Sequence, residues 1–201
     1  MSPQRSNRAA LIDGTLRCLD REPFERITAR MIAAESGANI ASITYHFESK
    51  DNLLTEAVIE GLDRWLDEIA AALAQLSSVD PGAVDPGAVD PAARFRRAAE
   101  VIDATRARHT GLARLFFAAA AKAQHDERVR ELLAAGFART RPAVAALLGL
   151  GTDQAGVDAG GLVLSLFYGL LLQSLLDPEL SITDQRLHRA HARLRTVLPQ
   201  R

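Results

Sequence analysis

The 201 residues are 48% hydrophobic but only 5% aromatic, and they carry a formal net charge of −1. That length suits one domain or a small domain fused to a larger one, and abundant Ala, Leu and Arg with few β-branched runs favour helices over sheet. The near-neutral charge excludes a global positive field. Residues 1–52 balance as well, with seven basic side chains (Arg5, Arg8, Arg17, Arg21, Arg26, Arg30, Lys50) against seven acidic ones (Asp13, Asp20, Glu22, Glu25, Glu35, Glu48, Asp51). Any phosphate-binding face must therefore come from placement.

The amino terminus, MSPQRSNRAALIDGTL, lacks the continuous apolar core of a signal peptide, and the one cysteine, Cys18, rules out an intrachain disulfide. Both point to a cytoplasmic protein. A first helix is expected over Ser6–Asp20, with Ala9, Ile12, Leu16 and Leu19 on its packing face and Cys18 as an inert buried thiol. Thr28 suits the N-cap of a second helix, flanked by Ile27 and Ile32 at hydrophobic-staple positions. That helix should stop before Gly37, and a short third helix should run from about Asn39 to Phe47.

Together Thr28–Lys50, TARMIAAESGANIASITYHFESK, has the spacing of a DNA-docking helix-turn-helix. Ala33 is small where the two helices cross, Gly37 opens the turn with φ > 0, and Ile43 wedges the second helix onto the core. Ser49 can cap a long fourth helix, whose apolar positions Leu54, Val58, Leu62, Trp65, Ile69, Leu73 and Leu76 recur in steps of three and four.

A tandem repeat follows, VDPGA-VDPGA-VDPAA over Val79–Ala93, in which Pro and Gly oppose helix formation; a turn-rich loop is expected there. Further helices should cover about 91–107, 110–123, 126–148, 153–176 and 183–198, punctuated by Gly149, Gly151 and Pro178. Pro142 should kink or split the third of these, which carries Val129, Leu133, Phe137, Thr140, Val144 and Leu147 on one stripe. The most apolar stretch, Leu162–Leu176, is shorter than the roughly 20 residues of a membrane span. Its helix is apolar nearly all round, which in a soluble protein means burial on more than one side.

Catalytic signatures are missing: no P-loop, no His-Glu-x-x-His, no Gly-x-Ser-x-Gly, and Gly149-Leu150-Gly151 lacks the third glycine of a dinucleotide site. His188 and His191 share a helix face but have no third ligand, so they read as surface histidines rather than a metal site. No enzyme activity, cofactor or metal is expected.

The helix-turn-helix with its following Tyr-His-Phe-x-Ser-Lys run, and the sub-pattern GANIASITYHFESKDNLL, resembles the amino-terminal domain of the tetracycline-repressor (TetR) family of transcription regulators. The resemblance covers residues 7–66 by motif and the remainder by helical layout. It departs at Ile40, where the family often has Lys or Arg, and at Arg21-Glu22-Pro23, where a glycine often precedes the Phe24 position. It implies an all-α protein: an amino-terminal three-helix DNA-binding domain (1–48), a connecting helix (49–77), an Asp-Pro-Gly loop (78–93) and a ligand-binding and dimerisation domain (94–201).

On the implied DNA-binding surface Tyr45, His46 and Lys50 match positions that hold phosphates, joined by the Thr28 hydroxyl. Base-edge readers would be Asn39, Ile40, Ala41, Ser42, Thr44 and, from the second helix, Arg30, which can grip guanine through two hydrogen bonds. Asn39 serves equally well as an N-cap, and the shortage of cations on the recognition helix points to apolar contacts and DNA shape. In the second domain Phe95, Arg114, Phe117, Tyr168 and Gln173, with His109, Phe116 and His125, are the candidates to line an effector cavity. Arg114 would favour an anion, and the alternative is core packing for the aromatics and surface for His125. The helices at 126–148 and 153–176 correspond to the family's dimerisation pair.

The implied protein is a cytoplasmic homodimer that binds double-stranded DNA and no membrane. It would be a repressor of a pseudo-palindromic operator, responsive to an unidentified small-molecule effector that either releases or promotes DNA binding. The rivals are an activator or a ligand-independent regulator of the same fold, a helical interaction module without DNA binding, which the balanced charge of residues 1–52 favours, and, last, a helical enzyme.

Overall fold

A computed structural model describes residues 7–75, 90–182, 186, 189, 190 and 193. Among these every regular element is helical: α1 (Asn7–Leu19), α2 (Ala29–Ser36), α3 (Ile40–Phe47), α4 (Lys50–Ala74), α5 (Pro91–Arg106), α6 (Thr110–Lys122), α7 (Glu127–Leu148) and α8 (Gln154–Leu176), with single 3-10 turns at Phe24–Arg26 and Pro178–Leu180. The chain gathers into two compact units, residues 1–67 with 108–140 and residues 68–107 with 141–201. Helices α4 and α7 each run from one unit into the other.

In the first unit Leu11, Ile12, Ile27, Ile32, Ala33, Ile43, Phe47, Leu53, Val58 and Trp65 form the core, all less than a tenth exposed. The packing face of α1 is not the expected one. Leu11, Thr15 and Cys18 lie inside with Ile12 and Leu19, whereas Ala9 is exposed and Leu16 only half-buried. The reason is the approach of α2 at Gly14, where a Cβ would stand 2.8 Å from Ser36 Cβ and 3.0 Å from its amide nitrogen. A glycine there lets α2 sit against the Leu11–Gly14–Cys18 side, and the Thr15 hydroxyl, fully buried, is satisfied by donating to the Leu11 carbonyl at 2.8 Å. Cys18 is buried, and burial pushes its thiol pKa up, with the Glu35 carboxylate adding to the rise. It is held as an unreactive thiol.

Ion pairs tie the long helices of this unit together. Arg8 pairs with Glu56 and Arg139 with Asp63, while Arg64 donates to Asp13 at 2.7 Å and to Glu60 at 3.0 Å. Lys122, closing α6, donates to Asp51 of α4 at 2.6 Å and lies 3.4 Å from Asp126. The Asp51 hydrogen bond holds the Lys122 pKa above its ordinary value.

In the second unit α5 starts at Pro91, as expected of the helix at about 91–107, so the end of the last repeat copy is helical although a loop was expected through Ala93. Asp90 caps α5 by accepting the Ala92 N–H at 3.1 Å, and Pro91 opens the first turn. Proline is tolerated there because the first N–H groups of a helix have no intrahelical partner, and this copy carries Ala where its predecessors carry Gly. Its earlier copies lie outside the described residues, as do Leu76, His188, His191 and most of the helix expected over 183–198. Pro142 does not split α7, which continues to Leu148.

Helix α8 corrects two expectations. It spans 23 residues and is long and apolar enough by length and composition to cross a membrane, although only 22% of its most apolar window is buried. The shortfall expected of Leu162–Leu176 alone does not hold for the whole helix. Nor is it buried all round: Leu162 and Leu176 are 73% and 75% exposed, Leu166 and Leu172 are exposed beside them, and only Gly156, Gly160, Leu164, Leu171 and Ser174 lie inside.

Candidate nucleic-acid interface

Helix α2 begins where the sequence provides a cap. Thr28 is extended (φ −104°, ψ 156°) and its hydroxyl accepts the Met31 N–H at 3.2 Å, while Ile27 and Ile32, both essentially inaccessible, close the staple beneath it. The helix ends at Gly37 with φ 69° and ψ 13°. No atom lies within 4 Å of a Cβ built there, so the backbone dihedral and not lack of space selects glycine.

Asn39 then caps α3, its side-chain oxygen accepting the Ala41 N–H at 3.0 Å. The recognition helix therefore starts at Ile40, one residue later than expected. Its Ile43 and Phe47 turn inward at 3% and 2% exposure. The outward residues Asn39, Ile40, Ala41, Thr44 and Tyr45 are exposed, Ser42 and His46 half-buried. Tyr45 is 83% exposed, with its ring edge-on to His46 at 4.8 Å.

Lys50, the first residue of α4, is partly buried, and its Nζ donates to the Ile27 carbonyl at 3.0 Å. An ammonium has three donors, so two remain for an anion beside Thr28. Arg30 is exposed and has no ion pair among the described residues. By contrast Arg17 and Arg21 are both engaged by Glu35: Arg17 Nε reaches Oε1 at 2.7 Å, Arg21 reaches Oε2 at 3.1 Å, and a second Arg17 nitrogen donates to the Glu35 carbonyl at 2.7 Å. The Arg17 hydrogen bond holds the Glu35 carboxyl below the usual glutamate range. This pairing, invisible in the spacing, fastens the end of α2 to α1 and sorts the balanced charges: Glu35 is paired in the frame while Arg30 stays exposed and Lys50 has no carboxylate partner among the described residues.

The remaining candidates are dispersed. Arg114 is exposed on α6 and Phe117 half-buried in the first unit; Phe95 and Tyr168 are half-buried and Gln173 exposed in the second, where the Gln173 amide donates to the Gly169 carbonyl at 3.3 Å. Phe116 is core, 5.2 Å from Phe117 and 6.1 Å from Phe137 between ring centres. His125 is exposed, and His109 stacks at 4.5 Å on Trp65. His109 also lines a cleft of about 170 Å³ with Leu16, Leu19, Asp20, Gly61, Arg64, Arg108 and Leu112, in which none of the five principal effector candidates takes part.

Two short helices joined through a left-handed glycine, the second presenting an exposed face on a buried Ile-Phe anchor, define a helix-turn-helix DNA-binding protein. Residues 11–57 match the family of bacterial regulatory proteins described as the tetR family. The fold agrees with solved structures. The multidrug-binding protein EbrR, complexed with imidazole, is 25% identical over 100% of this chain and 98% of its own, with a TM-score of 0.64. A TetR transcription regulator from Haloarcula marismortui is 18% identical over 86% and 88% (TM-score 0.59), and a Saccharomonospora viridis structure in complex with choline is 20% identical over 87% and 88% (TM-score 0.56). No curated protein matches the chain. Residues 11–57 carry the domain of this family, and the chain is a DNA-binding transcriptional regulator.

Proposed function

We propose that this regulator is a ligand-responsive repressor that works as a homodimer on a pseudo-palindromic operator in the cytoplasm, and that it has no catalytic role. The carrying observation is the row of exposed leucines on α8, Leu162, Leu166, Leu172 and Leu176. An apolar row of this kind on a soluble chain is stable in water only when covered, and a second copy covers it with a self-complementary patch. Two-fold symmetry then presents two copies of α3 to successive major grooves. Residues 1–48 would be the DNA-binding domain, residues 49–77 the connecting helix, residues 78–93 the linking segment, whose last three residues already belong to α5, and residues 94–201 the region for effector and dimerisation.

On DNA, Thr28, Tyr45, His46 and Lys50 take phosphates and Asn39, Ile40, Ala41, Ser42, Thr44 and Arg30 face base edges. The Asn39 oxygen is engaged as a cap but its amide N–H groups remain available. Effector binding is supported by the imidazole and choline of the two similar structures. Phe95, Arg114, Phe117, Tyr168 and Gln173 are the residues assigned to it, and an effector that favours the non-fitting dimer lowers operator affinity by its differential affinity.

The test is footprinting on DNA flanking the gene, with a selected random duplex as the second source, for the wild type and the Tyr45→Ala, Lys50→Ala double variant, alongside sedimentation in detergent-free buffer. A protected palindrome lost in the double variant, on a dimer, supports the reading. A monomer, or a chain that requires detergent to stay dispersed, refutes the dimer face.

A further inference from the structure

The corner between α3 and α4 is the one place outside glycine where the described backbone takes a positive φ. Glu48 stands at φ 66°, ψ −37°, close to the strained γ-turn that side-chain-bearing residues rarely adopt. The turn is closed by the Ser49 N–H donating to the Phe47 carbonyl at 2.7 Å. Such strain persists only where the surroundings over-determine it, and the second constraint is Asn52. Its Nδ2 donates to that same Phe47 carbonyl at 2.9 Å, while its own N–H donates to Ser49 Oγ at 3.1 Å.

Ser49-x-x-Asn52 has the spacing of a capping box, in which a Glu or Gln at the fourth position turns its side chain back to the N–H of the capping serine. Here the Asn52 side chain reaches instead to the last carbonyl of the preceding helix. We infer that Asn52 is a positioning residue of the recognition helix: its amide clamps the end of α3, fixes the pitch of that helix against α4, and so contributes to base discrimination without touching DNA. The inference rests on α3 being the groove-reading helix. The short side chains of α3 reach base edges only when the helix is closely placed, whereas long cationic side chains adapt to a shifted phosphate. Losing the clamp therefore degrades sequence selectivity and leaves the number of neutralised phosphates, and with it the salt slope, unchanged.

Asn52→Asp separates this role from support of the fold. An aspartate at this position of a helix's first turn favours the helix and can return to the capping box, yet it has no donor for the Phe47 carbonyl. The experiment measures affinities of wild type, Asn52→Ala and Asn52→Asp for the selected operator and for a scrambled duplex over a salt series, with urea unfolding of each protein. The expected result is a ratio of operator to scrambled affinity reduced about tenfold in both variants, the scale of one lost base-edge pair, with the wild-type salt slope retained and Asn52→Asp as stable as wild type. A wild-type ratio in the Asp variant overturns the inference, and so does a fall in stability that accounts for the loss in both. If the wild type itself shows no preferred duplex, the groove-reading assignment fails, a result distinct from a failure of the clamp.

Discussion

Replacing Gly37 by alanine isolates the backbone contribution to the DNA-binding turn. The residue sits at φ 69°, and a Cβ built on it meets no atom within 4 Å, so the clash and cavity energies that complicate most glycine substitutions are absent here. What remains is the cost of an L side chain in the left-handed region, about 1–2 kcal/mol. Alanine also narrows the unfolded ensemble, which offsets about 0.4–1 kcal/mol only where the native dihedrals are compatible; here they are not. The expected loss is therefore about 1–2 kcal/mol, or about 2–8 °C in Tm for a chain of this size. Gly37→Asn should lose less, because an asparagine side chain tolerates this region. Urea unfolding at one fixed protein concentration, since association shifts apparent stability, measures both midpoints and slopes. Alanine and asparagine equally destabilising, or a loss well above about 3 kcal/mol, would show that a contact rather than a dihedral governs the position.

Three further outcomes are expected. Arg30→Ala should relax operator selectivity by about 1–3 kcal/mol at one base pair, read by competition against single-base variants of the operator, if it grips guanine; full selectivity in the variant refutes that role. Leu162→Glu with Leu176→Glu should convert a dimer to a monomer in sedimentation without unfolding it, because both side chains are already exposed in the single chain. Glu35 has a lowered folded pKa, so its ion pairs stabilise above the ordinary glutamate value of 4.5 and are lost as pH falls through the lower folded value. Glu35→Gln should flatten that part of the acid limb in urea unfolding, and a limb identical to wild type contradicts the assignment.

The local signals were legible in the sequence because each depends on a few neighbouring residues: the Thr28 cap, the Ile27–Ile32 staple, the Gly37 turn, the Ile43 wedge and the Ser49 cap, which accepts the Asn52 N–H at 3.1 Å. The helix limits from Pro91 to Leu176 followed from the same punctuation. The side of a helix that packs was less legible. On α1 several apolar stripes compete, and only the close approach at Gly14 selects the one containing Leu11 and Cys18. On α8 an all-round apolar pattern is compatible both with an interior helix and with one awaiting another chain, and periodicity does not separate them. Contacts between distant charges, such as Arg17 with Glu35 or Lys122 with Asp51, leave no mark in spacing. The tie of Lys50 to the Ile27 carbonyl and that of Asn52 to Phe47 are likewise set by where α4 starts in space.

Of the six basic side chains described between residues 7 and 52, three, Arg8, Arg17 and Arg21, are held by carboxylates. Where those pairs persist on DNA, the hold of the domain on arbitrary genomic sequence is expected to be weaker than six free cations would give, because that hold comes almost wholly from released counterions. A protein of this kind would be less sequestered by the bulk of the chromosome. A smaller population would then fill a true site, and its occupancy would follow changes in the amount of active protein instead of being buffered by a large bound reserve.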